Sequence, residues 1–184
     1  MAKAFIFHGT EGYPEENWFP WLKSELEKRG CATIVPQFPT PENQTLAGWF
    51  AAISKHEKEL GTGTILIGHS LGGAFLLRLL ERGAKAKAVF LVGTPIGMGN
   101  VKNQKGDDDF TGKAFDWKAI RKNCPSFFVI QSDNDPYVPI ENGWELAKNL
   151  GVEMLFLPNC GHFNKAVGFT KFEFLLQKIE TVLG

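Results

Sequence analysis

The residues Gly68-His69-Ser70-Leu71-Gly72 follow the apolar run Thr64 to Ile67 and open the apolar stretch Leu71 to Leu80. A serine flanked by glycines at this spacing, where a strand turns sharply into a helix, has the pattern of a nucleophile elbow. Larger side chains two positions to either side would collide in such a turn, which lifts the serine hydroxyl above the sheet. Ser70 is therefore the candidate nucleophile. The Leu71 amide, unpaired at the start of a helix, is a candidate donor to an oxyanion. With 20 glycines in the chain, spacing alone carries modest weight, and the flanking strand and helix give the pattern its chemical meaning.

A serine hydroxyl needs a histidine to take its proton at neutral pH, and a carboxylate to hold that histidine in the right tautomer. Beyond Ser70 the chain supplies Asp133-Asn134-Asp135-Pro136-Tyr137-Val138-Pro139 and then Pro158-Asn159-Cys160-Gly161-His162-Phe163, each after a strand-like run. The order Ser, Asp, His is the one an α/β-hydrolase sheet requires. Among His8, His56, His69 and His162, only His162 follows the acid and lies in a loop after a strand, so it is the expected base. His8 is expected to shape the first loop, His56 belongs to a helix rich in Lys and Glu, and the His69 ring is expected to pack beneath the turn. Asp135 is the expected acid because it lies farther beyond its strand and is followed by Pro136. Asp133 remains the alternative, able instead to cap or brace the loop.

A second oxyanion amide belongs in the loop after the first strand, His8-Gly9-Thr10-Glu11-Gly12. Thr10 is the expected donor and Glu11 the neighbour to weigh against it. Glu11, Tyr13, Trp18, Tyr137 and Phe163 lie in or beside these motifs and are expected to form a narrow, partly aromatic substrate pocket, although each ring could equally be core.

The elements that must position these groups alternate. Strand-like runs occur at Lys3 to Phe7, Ala32 to Val35, Thr64 to Gly68, Ala86 to Val92, Ser126 to Gln131 and Glu153 to Leu157. They are continuously apolar, as parallel strands covered on both faces should be. Between them lie helical patterns: Trp18, Trp21, Leu22 and Leu26; Leu46, Trp49, Phe50 and Ile53; Leu71 to Leu80; and a short helix ending near Ile120. Two more follow, Ile140, Trp144, Ala147 and Leu150, then Phe169, Phe172, Leu176, Ile179 and Leu183 to the C-terminus. The expected fold is α/β: a three-layer, doubly wound sheet of six parallel strands, in one domain over residues 1–184, with reactive groups at the carboxyl ends of the strands. Thr94 to Phe115, with Pro95, Gly97, Gly99, Gly106, Gly112 and the acidic Asp107, Asp108 and Asp109, reads as a long irregular crossover, either a mobile lid or a solvated loop.

Twenty basic and twenty acidic residues leave no net charge, which removes a general electrostatic case for nucleic acid or anionic lipid as a partner. No run approaches the eighteen apolar residues of a membrane span, and the first apolar run is too short for a signal-peptide core, so a cytoplasmic protein is expected. Cys31, Cys124 and Cys160, an odd number without zinc-type pairing, read as free thiols. Cys160 and His162 lack the clustered ligands that a metal site needs.

Gly68-His69-Ser70-Leu71-Gly72, Asp135-Pro136-Tyr137-Val138-Pro139 and Cys160-Gly161-His162-Phe163 resemble the α/β-hydrolase superfamily. His8-Gly9 followed by Asn17-Trp18-Phe19-Pro20-Trp21-Leu22 resembles, more narrowly, the small serine hydrolases grouped around YdeN and retinoblastoma-binding protein nine. The likeness covers nearly the whole chain. It implies a compact domain without the two leading strands of larger hydrolases, no large cap, a Ser, Asp, His triad and esterase-like activity on small acyl substrates. The LxCxE segment linked with a retinoblastoma partner is absent here, so that role does not carry over.

The expected function is thus a serine hydrolase, a carboxylesterase on small esters. It would use Ser70, His162 and Asp135 with the Thr10 and Leu71 amides, and no metal or organic cofactor. A peptidase, thioesterase or acyltransferase would use the same nucleophile, and a non-catalytic protein-binding member of the fold is the alternative of another class.

Overall fold

The apolar runs pair into one six-stranded, fully parallel sheet: β1 (Ala2–Phe7), β2 (Cys31–Ile34), β3 (Thr64–His69), β4 (Ala88–Val92), β5 (Phe127–Gln131) and β6 (Met154–Phe156), in the order β2-β1-β3-β4-β5-β6. The computed structural model describes residues 2–97 and 107–183. Among the described residues, seven α-helices connect and follow the strands, two of them between β4 and β5: α1 (Phe19–Lys28), α2 (Leu46–Ser54), α3 (Leu71–Glu81), α4 (Asp108–Thr111), α5 (Trp117–Asn123), α6 (Ile140–Leu150) and α7 (Glu173–Leu183). This is the α/β-hydrolase fold in compact form, with no large cap among the described residues.

Both faces of the sheet are buried, and the period of two along a strand sends alternate side chains to each. Phe5 and Phe7 of β1 and Val89 and Leu91 of β4 join a core with Trp49 of α2, most of α3, Ile120 of α5 and Leu146 of α6. Ala4, Ile6, Phe90 and Val92 point the other way, against Phe19, Leu22 and Leu26 of α1 and Leu175 and Ile179 of α7. Helix α3 is buried along nearly its whole length, Arg78 included. That cation is satisfied by carbonyls: it donates to Phe110 O at 2.8 Å, to Ala114 O at 3.2 Å and to Lys113 O, pairs with Glu81, and lies 3.8 Å over the Phe115 ring. A buried charge needs such pairing, and here it anchors the chain between α4 and α5 to the core.

The chain winds outward from β1 to β2, then returns past β1 to β3 and continues in the opposite direction. The carboxyl ends of β1 and β3 therefore flank the point where the order reverses, the crevice in which open α/β sheets bind ligands.

Some helical expectations shift. The apolar period from Phe169 is helical only in its later part: Phe169 and Phe172 lie in the non-helical stretch that follows a 3₁₀ turn at Lys165–Val167 and a left-handed Gly168, and α7 begins only at Glu173. Phe169 and Phe172 instead pack on the Phe163 ring, each with centroids 5.5 Å away. Ile120 lies within α5 rather than at its end. Trp144, which fits the apolar period of α6, is 55% exposed. The lid expected within Thr94 to Phe115 falls partly on residues 98–106, outside the described residues. The described acidic flank is not a simple solvated run, since Asp107 is 8% exposed and Asp109 accepts a hydrogen bond from the Leu46 amide at the start of α2.

Candidate active site

Ser70 occupies the junction between β3 and α3 with φ 54 and ψ −129, a strained conformation for a residue with a side chain. The Ser70 amide donates to Val92 O at 2.9 Å, tying the turn to β4. The tight fit explains the glycines of the motif. A Cβ on Gly68 would lie 2.5 Å from the Gly73 Cα, and one on Gly72 would strike the Phe7 and His8 carbonyls. Gly9, at the end of β1, is held just as close: a Cβ there would come within 2.8 Å of the Ser70 Cβ.

The loops after β5 and β6 bring Asp135 and His162 to the same rim. His162 Nδ1 lies 2.7 Å from Asp135 Oδ2, and the Asp135 side chain has no exposed surface. The other oxygen of Asp135 accepts from the Tyr137 amide at 2.9 Å and the Val138 amide at 3.0 Å, which fixes the carboxylate plane. Gly93, at the end of β4 with φ +54, makes room for this pair, because a Cβ there would sit 3.3 Å from Asp135 Oδ2 and 3.4 Å from His162 Nδ1. Asp133 is turned away and braces the loops by accepting from the Asn159 amide at 2.8 Å. Ser132 and Asn134 complete that brace, accepting from the Cys160 and Gly161 amides.

Two further side chains hold His162 from behind. His69 Nε2 lies 2.8 Å from the His162 carbonyl oxygen, so this nitrogen carries the proton and donates it. Burial, with a further push from the neighbouring His162, drives the His69 pKa down to about 3 and keeps the ring neutral. Trp18 Nε1 donates to Phe163 O at 2.9 Å. Trp18 and Phe163, expected in the pocket, are instead fully buried in the core beside Phe172, because they support the loop that carries His162 from the far side. Tyr13 is half exposed and does not line the cavity at Ser70. Glu11 and Tyr137 do line it.

That cavity measures about 290 Å³ and brings together Ser70, His162, Thr10 and Leu71. Among the described residues, neither the Thr10 nor the Leu71 amide donates a hydrogen bond within the protein, whereas the Glu11 amide is engaged by Thr40 Oγ1 at 2.6 Å and the Gly12 amide by Gly9 O at 3.1 Å. Of these neighbours in the first loop, it is the Thr10 amide that stays available to a ligand. His8 sets the loop's start as expected: the Phe38 amide donates to His8 Nε2 at 3.0 Å, leaving the proton on Nδ1 to reach Gly9 O at 2.9 Å. Burial lowers the His8 pKa as well.

Glu16, Asn164 and Asp107 also line the cavity, and none carries a signal in the sequence that would assign it there. Withdrawal from water raises the Glu16 pKa to about 7, only partly offset by a hydrogen bond from the Tyr13 backbone. Asn164 Oδ1 is buried without a hydrogen-bond partner among the described residues.

A strained serine, a buried carboxylate–imidazole pair and free amides around one cavity are the parts of a nucleophilic acyl-transfer site. The serine hydrolase family model matches residues 4–181. The chain belongs to this family. As a serine hydrolase it is 30% identical to YdeN of Bacillus subtilis (strain 168) over 171 residues, covering 91% of this chain and 89% of that protein. It is 25% identical to the serine hydrolase RBBP9 of Rattus norvegicus over 185 residues, 99% of this chain and 96% of the relative. The crystal structure of the B. subtilis ydeN gene product superposes with a TM-score of 0.90 at 26% identity, covering 99% of this chain and 98% of that one. Est1E from Butyrivibrio proteoclasticus, in a structure with ferulic acid bound, shares the fold at a TM-score of 0.68 and 18% identity, with coverage of 98% and 90%. No helix among the described residues of this serine hydrolase is long and apolar enough to cross a membrane.

Proposed function

We propose that this serine hydrolase is a carboxylesterase acting on small acyl esters through Ser70, His162 and Asp135, in a single domain spanning residues 1–184. The observation that carries the reading is the 2.7 Å contact between His162 Nδ1 and an oxygen of the Asp135 side chain, which has no exposed surface, on a cavity lined by both His162 and Ser70. A carboxylate on Nδ1 holds that nitrogen protonated and leaves Nε2 free to accept the serine proton.

In the first half-reaction Ser70 Oγ attacks the acyl carbon while its proton passes to His162 Nε2. The Thr10 and Leu71 amides donate to the oxyanion that forms. Collapse of the tetrahedral intermediate breaks the bond to the alcohol oxygen, which leaves with the proton from His162. In the second half-reaction His162 takes a proton from water, the resulting hydroxide attacks the acyl-enzyme, and the carboxylic acid departs as Ser70 recovers its proton. This route uses only side chains and amides of the chain. Free Cys31, Cys124 and Cys160 fit a reducing compartment and support a cytoplasmic location.

Hydrolysis of a p-nitrophenyl ester series of graded acyl length, beside matched thioesters and peptide anilides, tests the assignment. Short esters are the expected preferred substrates, with Ser70→Ala and His162→Ala lowering kcat by roughly 10³-fold or more. Equal turnover by Ser70→Ala would remove the nucleophile. A preference for thioesters or anilides would move the enzyme to the thioesterase or peptidase class.

A further inference from the structure

Three crossover segments that are far apart in the sequence meet at the side chain of Thr10. Thr10 Oγ1 donates to Asp107 Oδ1 at 2.8 Å, across 97 residues of chain. Gln44 Nε2 donates to the same Asp107 oxygen at 2.7 Å and to Thr10 Oγ1 at 3.2 Å. The Gln44 carbonyl accepts from Thr40 Oγ1, and Thr40 Oγ1 in turn accepts from the Glu11 amide. Both amide protons and the carbonyl of Gln44 are thereby used, and its side chain is almost wholly enclosed, at 4% residue exposure. A buried primary amide satisfied on every side has one orientation, since turning it over would set its oxygen against the carboxylate of Asp107.

The network has a consequence for the loop after β1. It grips the Thr10 side chain and occupies the Glu11 amide, and the Gly12 amide is closed within the loop's own turn. Among the described residues the Thr10 amide has no partner, and Thr10 lines the same cavity as Ser70. Gln44 does not line the cavity, so any effect it has on chemistry must pass through the groups it holds there, Thr10, Asp107 and, by way of Thr40, Glu11.

We propose that Gln44 is a positioning residue for the oxyanion donor: it locks the loop after β1 to Asp107 and Thr40 so that the Thr10 amide, and not its neighbours, faces the reacting carbonyl. This rests on the assignment of Ser70 as nucleophile and Thr10 as donor. Preorganised donors matter because the charge they meet develops only in the transition state, so a donor that wanders loses rate more than ground-state binding.

Gln44→Met keeps the length and volume of the side chain and removes its hydrogen bonds, and Gln44→Ala removes both. Each is to be measured on a short p-nitrophenyl ester, with active-site concentration fixed by titration with a fluorophosphonate, and for inhibition by a trifluoromethyl ketone whose adduct carries the oxyanion. Loss of a whole oxyanion donor costs about 10²–10³ in kcat, so a displaced donor should lower kcat by roughly 10- to 100-fold with KM within about threefold. Affinity for the trifluoromethyl ketone should fall in parallel with kcat. Active sites that turn over at the wild-type rate, or a ketone affinity that stays level while kcat falls, would overturn the proposal. Ser70→Ala is the separate control: if it retains turnover, the underlying hydrolase assignment has failed, whereas full activity in Gln44→Met with an inactive Ser70→Ala defeats the positioning role alone.

Discussion

His69 and His162 are joined by a hydrogen bond from the Nε2 of the first to the backbone oxygen of the second, 2.8 Å long. It links the turn that presents Ser70 to the residue proposed to serve it as base, across 93 positions of chain. The bond requires a proton on His69 Nε2, and burial keeps the ring neutral, so Nε2 is the nitrogen that carries that single proton.

The acid sensitivity of the fold follows from that pair. The folded-state pKa of His69 is about 3, below its ordinary value of 6.5, so the unfolded chain binds the extra proton between those limits. Stability is therefore fully present above pH 6.5 and is lost as pH falls toward 3, at up to about 1.4 kcal/mol per pH unit for one such group. Urea unfolding of the wild type and His69→Gln at pH 7.5 and 5 should show a smaller loss on acidification for the variant. His8, also held below its ordinary pKa by burial, leaves a residual slope in both proteins. Equal losses would show that His69 is not the titrating group.

Asp135 and Asp133 differ in what they touch, and their asparagine variants should differ accordingly. Asp135→Asn removes the anionic acceptor from His162 Nδ1 and favours the wrong tautomer, an expected loss of roughly 10⁴ in kcat. Asp133→Asn keeps an oxygen for the Asn159 amide and should stay within about tenfold of wild type. Steady-state ester kinetics of the two variants side by side decide the assignment, and a larger loss in Asp133→Asn would reverse it.

Trp18→Phe tests the support behind His162, the proposed base. The ring volume is largely kept, while Phe163 O loses its buried donor, at an expected cost of about 1–3 kcal/mol. For a chain of this size each kcal/mol lowers Tm by about 2–4 °C. Calorimetry should show that decrease, with kcat reduced severalfold and KM nearly constant. An unchanged Tm would mean that the bond contributes nothing to the fold.

Glu16 gives a stability effect of the opposite sign. Its folded-state pKa is raised to about 7 from 4.5, so ionisation is resisted in the folded chain and stability is lost as pH rises between those values. Glu16→Gln removes the ionising group. Its Tm relative to wild type should rise from pH 4.5 to pH 8, read by thermal unfolding across that range, and a constant difference would refute the desolvated carboxyl.

The strands were legible because two buried faces demand continuous apolar runs, as in Ile65-Leu66-Ile67 and Val89-Phe90-Leu91. The positions of Ser70, Asp135 and His162 were legible because each follows a strand at its carboxyl end. Proximity in sequence misled for Trp18 and Phe163, joined by a bond from the indole N–H of the first to the backbone oxygen of the second while their rings fill the core. Trp144 carries the period of a buried residue yet is exposed on α6, and Phe169 and Phe172 satisfy their apolarity by ring packing outside α7. Gln44 and Asp107 could not have been read from the chain, since 63 residues separate them and neither belongs to a local pattern. Glu16 likewise acquires its character only from the tertiary burial around it.

Ser70 is proposed as a nucleophile activated in the folded protein. The most direct measurement is the mass of the intact protein after treatment with a fluorophosphonate, followed by peptide mapping of the adduct. A single phosphonyl addition on Ser70, absent in Ser70→Ala and strongly slowed in His162→Ala, is the predicted result. No addition to the wild type, or an adduct on another residue that persists in Ser70→Ala, would contradict it.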